Sequence, residues 1–174
     1  MSSWDRVQVE RPHAPRALMG GLIATIILIG LMYLGPLIGV RTWNVGAMVG
    51  GAISFNELVT PAFRPQMWGL GFFSFVVFSI LAAPACYAYW AYSYLPGTTW
   101  MRGLLYGGFL WLLVQILLMP MIGQGPFDVH GPAPAVEILS QLVLWLVYGV
   151  ILGAIAGPQQ VWRHRVHAPQ EHAQ

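Results

Sequence analysis

The chain is poor in charge, and that scarcity excludes more than any motif could. It has no lysine, eight arginines and six acids, and only 8% of its residues are charged. A soluble domain carries about 25%, so these charges cannot coat a water-facing surface. The net charge of +2 is small and scattered, which excludes a nucleic-acid surface. There is one cysteine, Cys86, so no internal disulfide can form, and it gives no reading of redox compartment.

The third absence is chemical. No Asp, Glu, Lys, Arg or His lies in the central part of any long apolar run. An ionisable group inside a membrane usually marks a proton relay, an ion path or a ligand site. Its absence argues against a proton-coupled transporter or pump made by this chain alone. It also removes the intramembrane histidine pair that would ligate a b-type haem.

What the sequence does have is hydrocarbon. It is 57% hydrophobic, with a mean hydropathy of +0.63. Four runs are long enough to cross about 30 Å of bilayer: residues 17–38, 68–94, 101–122 and 136–157. The expected fold is all-α, an integral membrane four-helix bundle. Residues 1–16 form a cytoplasmic N-terminal arm, 17–157 the four-span membrane domain and 158–174 a cytoplasmic tail. The first run, of about 23 residues, exceeds a signal-peptide core and no small-x-small cleavage site follows, so it is expected to be retained. Pro84, inside the second span, predicts a kink.

Arginine sets the orientation. Arg6, Arg11, Arg16, Arg102, Arg163 and Arg165 fall on one side, against Arg41 and Arg64 on the other, which places both termini in the cytoplasm. Trp43 and Trp68 then flank the outer interface, Trp100 and Trp162 the inner one.

Residues 39–67 are apolar and rich in small residues but too short to cross and return as two full helices. They read as a helix in the outer interface in preference to a re-entrant segment. The spans opening "RALMGGLIATIILIGLMYLGPLIG" and "RGLLYGGFLWLLVQILLMPMIG" share an initial Arg, a Gly-Gly pair and a closing Pro-x-Ile-Gly. Two tandem helix pairs or simple convergence would both produce this pattern.

Candidate sites are few. In "LLMPMIGQGPFDVHG" an apolar run stops at Pro120, with Met119 and Met121 on either side and Asp128 and His130 beyond. Thioethers suit Cu(I), and Met32 and Met48 would add sulfur if they lie near. Methionine is also a common filler of apolar packing, and a turn between two helices is the better reading. Gln115, near the middle of the third span, needs a partner, and an interhelical bond is favoured over a quinone or haem-propionate contact. Glu137 suits the first turn of the fourth helix. Glu57 has no such explanation and is kept as a residue of interest, with Gln115 and Asp128. Gly149, Gly153 and Gly157 make the strongest small-xxx-small ridge, a surface for the bundle itself or for a partner helix.

"GGLIATIILIGLMYLGPLIG", "RGLLYGGFLWLLVQILLMPMIGQG" and "LVYGVILGAIAG" together resemble an uncharacterised family of small four-helix integral membrane proteins of bacteria and archaea. Some members are similar to accessory proteins of haem-copper terminal oxidases. The resemblance implies a multi-pass protein of the cytoplasmic membrane that acts as a non-catalytic accessory subunit of a larger membrane complex, a respiratory terminal oxidase in particular. It implies contacts with lipid and with larger subunits, no cofactor of its own, and haem or copper in its partners. The alternative function is a small transporter or a copper-handling protein using Met119, Met121 and His130.

Overall fold

A computed structural model describes residues 14–38, 45–54, 65–121, 125–128 and 134–157. Most of both arms, Arg41, Arg64, Glu57 and His130 lie outside the described residues. Helix α1 spans Ala14–Leu34 and runs into a 3-10 turn, Gly35–Ile38. The short α2 spans Val45–Ser54. Helix α3 begins as Pro65–Val77 and continues through Phe78–Ala82, Ala83–Cys86 and Tyr87–Ala91 to Tyr92–Tyr94. Helix α4 is Thr99–Leu113 prolonged by Val114–Leu118 and Met119–Met121, and α5 is Pro134–Ala156. Four helices are long and apolar enough to cross a membrane: Ala14–Leu37, Trp68–Tyr94, Thr99–Met121 and Ala135–Ala156. The protein is an all-α, multi-pass membrane bundle. Proline opens both α3 and α5, where a missing N–H costs nothing.

Helix α5 is the hub. It packs against α1 on one side and α4 on the other, while α1 also meets the middle of α3. The α4–α5 seam is backbone on backbone. A Cβ built on Gly103 would run into the Gly149 carbonyl and stand 2.7 Å from the Gly153 Cα. Reciprocally, one on Gly149 would stand 2.8 Å from the Gly107 Cα. Where lipid removes the hydrophobic drive between helices, this close approach of backbones is what holds them together.

The kink expected at Pro84 takes a different form. The helix widens into a π turn at Phe78–Ala82, with the Ala83 N–H reaching back to the Phe78 carbonyl, and the residues around it stay right-handed helical. That register would next send the N–H of residue 84 to the Ser79 carbonyl, but proline has none. Tyr148 of α5 supplies the missing donor, its hydroxyl donating to the Ser79 carbonyl at 2.6 Å. Tyr106 of α4 donates to the Ala83 carbonyl at 2.8 Å. Gly21 of α1 makes room for the proline, since a Cβ there would overlap the Pro84 ring.

Pro120 follows the same rule. The sequence suggests that it ends an apolar helix, yet α4 continues through it, preceded by the π turn Val114–Leu118 with the Met119 N–H on the Val114 carbonyl. These two π turns each end two residues before a proline, whereas a third, Tyr87–Ala91, does not. Here the two halves of the apparent duplication diverge: α1 has left α-helix before Pro36, whereas α4 carries Pro120 within its last turn.

At the other end of α3, Arg102 folds back over the preceding loop. Its Nε donates to the Gly97 carbonyl at 3.0 Å, a terminal nitrogen to the Tyr92 carbonyl at 3.4 Å, and its guanidinium lies 4.5 Å from the centre of the Tyr92 ring. A cation there suits the exposed carbonyls at a helix C-terminus. Gly97, at φ +98°, makes the turn possible.

Helix α2 does not stand apart from the bundle. It packs along the beginning of α3, where a Cβ on Gly71 would collide with the Gly46 carbonyl and the Gly50 nitrogen. Its Ala52 is buried with Met119 of α4. The short helix therefore closes the end of the bundle at which α1 finishes and α5 begins.

Candidate functional site

Under α2 lies a cavity of about 360 Å³. Leu28 and Met32 come to it from α1, Val45, Met48, Val49 and Ile53 from α2, and Phe75 and Phe78 from α3. Helix α4 adds Val114, Leu117 and Met121, and α5 adds Gln141, Leu144 and Trp145. The lining is almost wholly hydrocarbon and ring, and among the described residues no charged side chain contributes to it. Ile53, Phe78 and Leu117 line it while also being exposed on the outside of the bundle. The wall therefore reaches the surface that faces lipid.

One polar device is buried here. Gln115 of α4 and Gln141 of α5 are 0% and 2% exposed, and the Gln115 Nε2 donates to the Gln141 Oε1 at 2.7 Å. A carboxamide has two ends, and each glutamine uses only one on the other. The Gln115 Oε1 and the Gln141 Nε2 have no hydrogen-bond partner among the described residues. Leaving such a group unsatisfied costs about 1–3 kcal/mol, and each glutamine here keeps one end of its amide unused among the described residues. Ser74, also on the lining, adds a hydroxyl to the cavity wall.

The interhelical partner expected for Gln115 is thus Gln141, a residue the sequence analysis did not single out. A signal was there. In antiparallel neighbours, Gln115 lies about 9 Å before the end of α4 and Gln141 about 10 Å after the start of α5, at a rise of about 1.5 Å per residue. Two amides at equal depth in otherwise apolar spans should meet.

The methionines divide. Met119 is fully buried against Ala52, with Met48 and Leu118 packed around them. Met121 is exposed and lines the cavity, as do Met32 and Met48. The structure therefore places Met32, Met48 and Met121 on the lining of the same cavity. Asp128 ends the short 3-10 turn Pro126–Asp128, in which Phe127 has a left-handed backbone and its ring sits 6.1 Å from that of Trp111. Among the described residues no three His, Cys, Asp or Glu side chains cluster in a metal-binding group.

The glycine ridge of α5 is filled from within. Gly149 and Gly153 face Gly103, Gly107 and Thr99 of the chain's own α4, and Gly157 faces Thr99. The surface that the sequence offered to a partner helix is an internal seam, and any partner must use other faces.

The profile of the family of unknown function DUF6789 matches residues 13–162, covering all four spans and the cavity. The chain belongs to that family. No curated protein and no solved structure matches it significantly.

Proposed function

We propose that this DUF6789 protein is a non-catalytic accessory subunit of a larger complex in the cytoplasmic membrane, with both termini on the cytoplasmic side. The complex is a respiratory terminal oxidase. The observation that carries the accessory role is the state of the protic groups inside the bundle. Tyr87, Tyr106 and Tyr148 each donate to a backbone carbonyl, those of Thr99, Ala83 and Ser79, and so serve the fold. The ionisable Arg16, Arg102 and Glu137 stand at helix ends. None of these three is among the residues lining the cavity, so none is placed to act as an acid or base on a molecule held there. The oxidase is supported by the similarity of some members of the family that the sequence resembles to accessory proteins of such enzymes.

Reconstitution of the purified chain alone into proton-tight vesicles tests this role. We expect neither quinol oxidation nor proton or solute movement above empty vesicles. Turnover or transport by the isolated chain would overturn it.

One observation favours a second reading, copper handling. Met32, Met48 and Met121 meet around one cavity, and thioether sulfur is a soft donor suited to Cu(I). Competition for Cu(I) against a colorimetric chelator decides it: binding of one equivalent, lost when the three methionines become leucine, would support copper handling. No competition would exclude it.

A further inference from the structure

We propose that the cavity beneath α2 binds a neutral, lipid-soluble molecule bearing a carbonyl group, and that the Gln141 amide donates a hydrogen bond to that carbonyl. This is independent of the accessory role and asks only what the cavity accepts.

Four features converge on it. Pockets that hold small molecules usually enclose about 300–1,000 Å³ and combine apolar walls with a few placed polar groups. This one has about 360 Å³, enough for a single ring with the start of a tail or for an ester with a few methylenes. Its lining carries no charge among the described residues, so a carboxylate or an ammonium group would find no counterion among them and would lose its hydration. Its lining includes two polar side chains, Ser74 and Gln141, and Gln141 is 2% exposed with an Nε2 that lacks a partner among the described residues. A plain hydrocarbon would fill the volume and leave that donor unmet, whereas an acceptor oxygen satisfies it. Finally, the wall formed by Ile53, Phe78 and Leu117 reaches the outside of the bundle, so entry is from the bilayer.

Two sources share this chemistry, the head of an isoprenoid quinone and the ester of an acyl lipid. Aromatic walls at Phe75, Phe78 and Trp145 accept either. No redox or transfer step is implied, because the amide pair holds the molecule without an acid or base to act on it.

The test uses the full chain in nanodiscs of an ether-linked, carbonyl-free phospholipid. Three probes are titrated: a decyl-substituted benzoquinone, a monoacylglycerol ester and decylcyclohexane. We expect one carbonyl probe to bind at one per chain and about 10-fold or more tighter than decylcyclohexane, the scale of one hydrogen bond. Which of the two binds tighter identifies the source. The double variant Gln115→Met with Gln141→Met removes both amides and leaves no orphan. It should bring the carbonyl probe down to the affinity of decylcyclohexane without changing the latter. Equal binding of all three probes to the natural chain, or full retention of the preference in the double variant, overturns the proposal. If the double variant does not fold, Val49→Phe decides, since it fills the cavity from α2 and keeps the amides. Loss of carbonyl-probe binding then supports the site, and unchanged binding refutes it.

Discussion

The Tyr148 hydroxyl lies 2.6 Å from the Ser79 carbonyl, which the π turn before Pro84 leaves without a backbone donor. The bond ties α5 to α3 at the point where α1 also arrives, with Gly21 against the Pro84 ring. One proline thus specifies contacts on two other helices.

The first prediction follows from that dependence. Tyr148→Phe should destabilise the chain by about 1 kcal/mol, between the roughly 0.6 typical of interhelical bonds in membranes and the 1–3 of an orphaned buried group. In a Pro84→Ala background the same change should cost less, because residue 84 regains an N–H. A double-mutant cycle by reversible unfolding in detergent measures the coupling. Strict additivity would show that Tyr148 and the proline register are unrelated.

The second concerns the glycine seam. Gly103→Ala and Gly149→Ala each place a methyl group against backbone of the facing helix. Both should cost about 1–3 kcal/mol, as overpacking does. Gly30→Ala is the control, for nothing lies within 4 Å of its Cβ position. There the better helix propensity of alanine should leave stability unchanged or raised by up to about 1 kcal/mol. Equal losses at Gly30 and Gly103 would remove the seam from the explanation.

The third separates packing from ligation by sulfur. Met119 is buried in a small apolar cluster with Ala52. Met119→Leu conserves volume and should cost less than about 1.5 kcal/mol, with assembly of the native complex unchanged. Thermal unfolding and native gels together provide the measurement. A loss of assembly without a loss of stability would give Met119 a role beyond packing.

The fourth is topological. If both ends lie in the cytoplasm, as proposed, a reporter active only in the cytoplasm should work when fused at either terminus, and one active only outside should be silent at both. Opposite results at the two ends would contradict an even number of crossings.

Much of the fold was legible because bilayer thickness is a hard ruler. The four apolar runs coincide with the four long helices to within a few residues, since a segment that must satisfy its own backbone in lipid can only be helical. The consequences of Pro84 and Pro120 were not legible in the same way. Sequence rules predict a break or kink, but whether a helix breaks or widens depends on donors such as Tyr148, which lies far away in the chain. The glycines of α5 show a similar limit. Spacing marks a close-packing face without saying whose backbone fills it, and here α4 of the same chain does. The cavity was out of reach, because it needs α2 to fold over the bundle end, and nothing in "VGAMVGGAIS" announces that α3 is its partner. The pairing of Gln115 with Gln141 lay between these cases, readable from equal depth once antiparallel packing is accepted.

The central claim is that this 19.2 kDa chain contributes structure to a larger assembly and performs no chemistry alone. Native mass measurement on membranes solubilised in a mild detergent tests it most directly. We expect the chain to appear within a complex several times its own mass, containing a haem-bearing subunit, and to leave it only under harsher detergent. A monodisperse single chain, released intact under the mildest conditions without any companion, would contradict the claim.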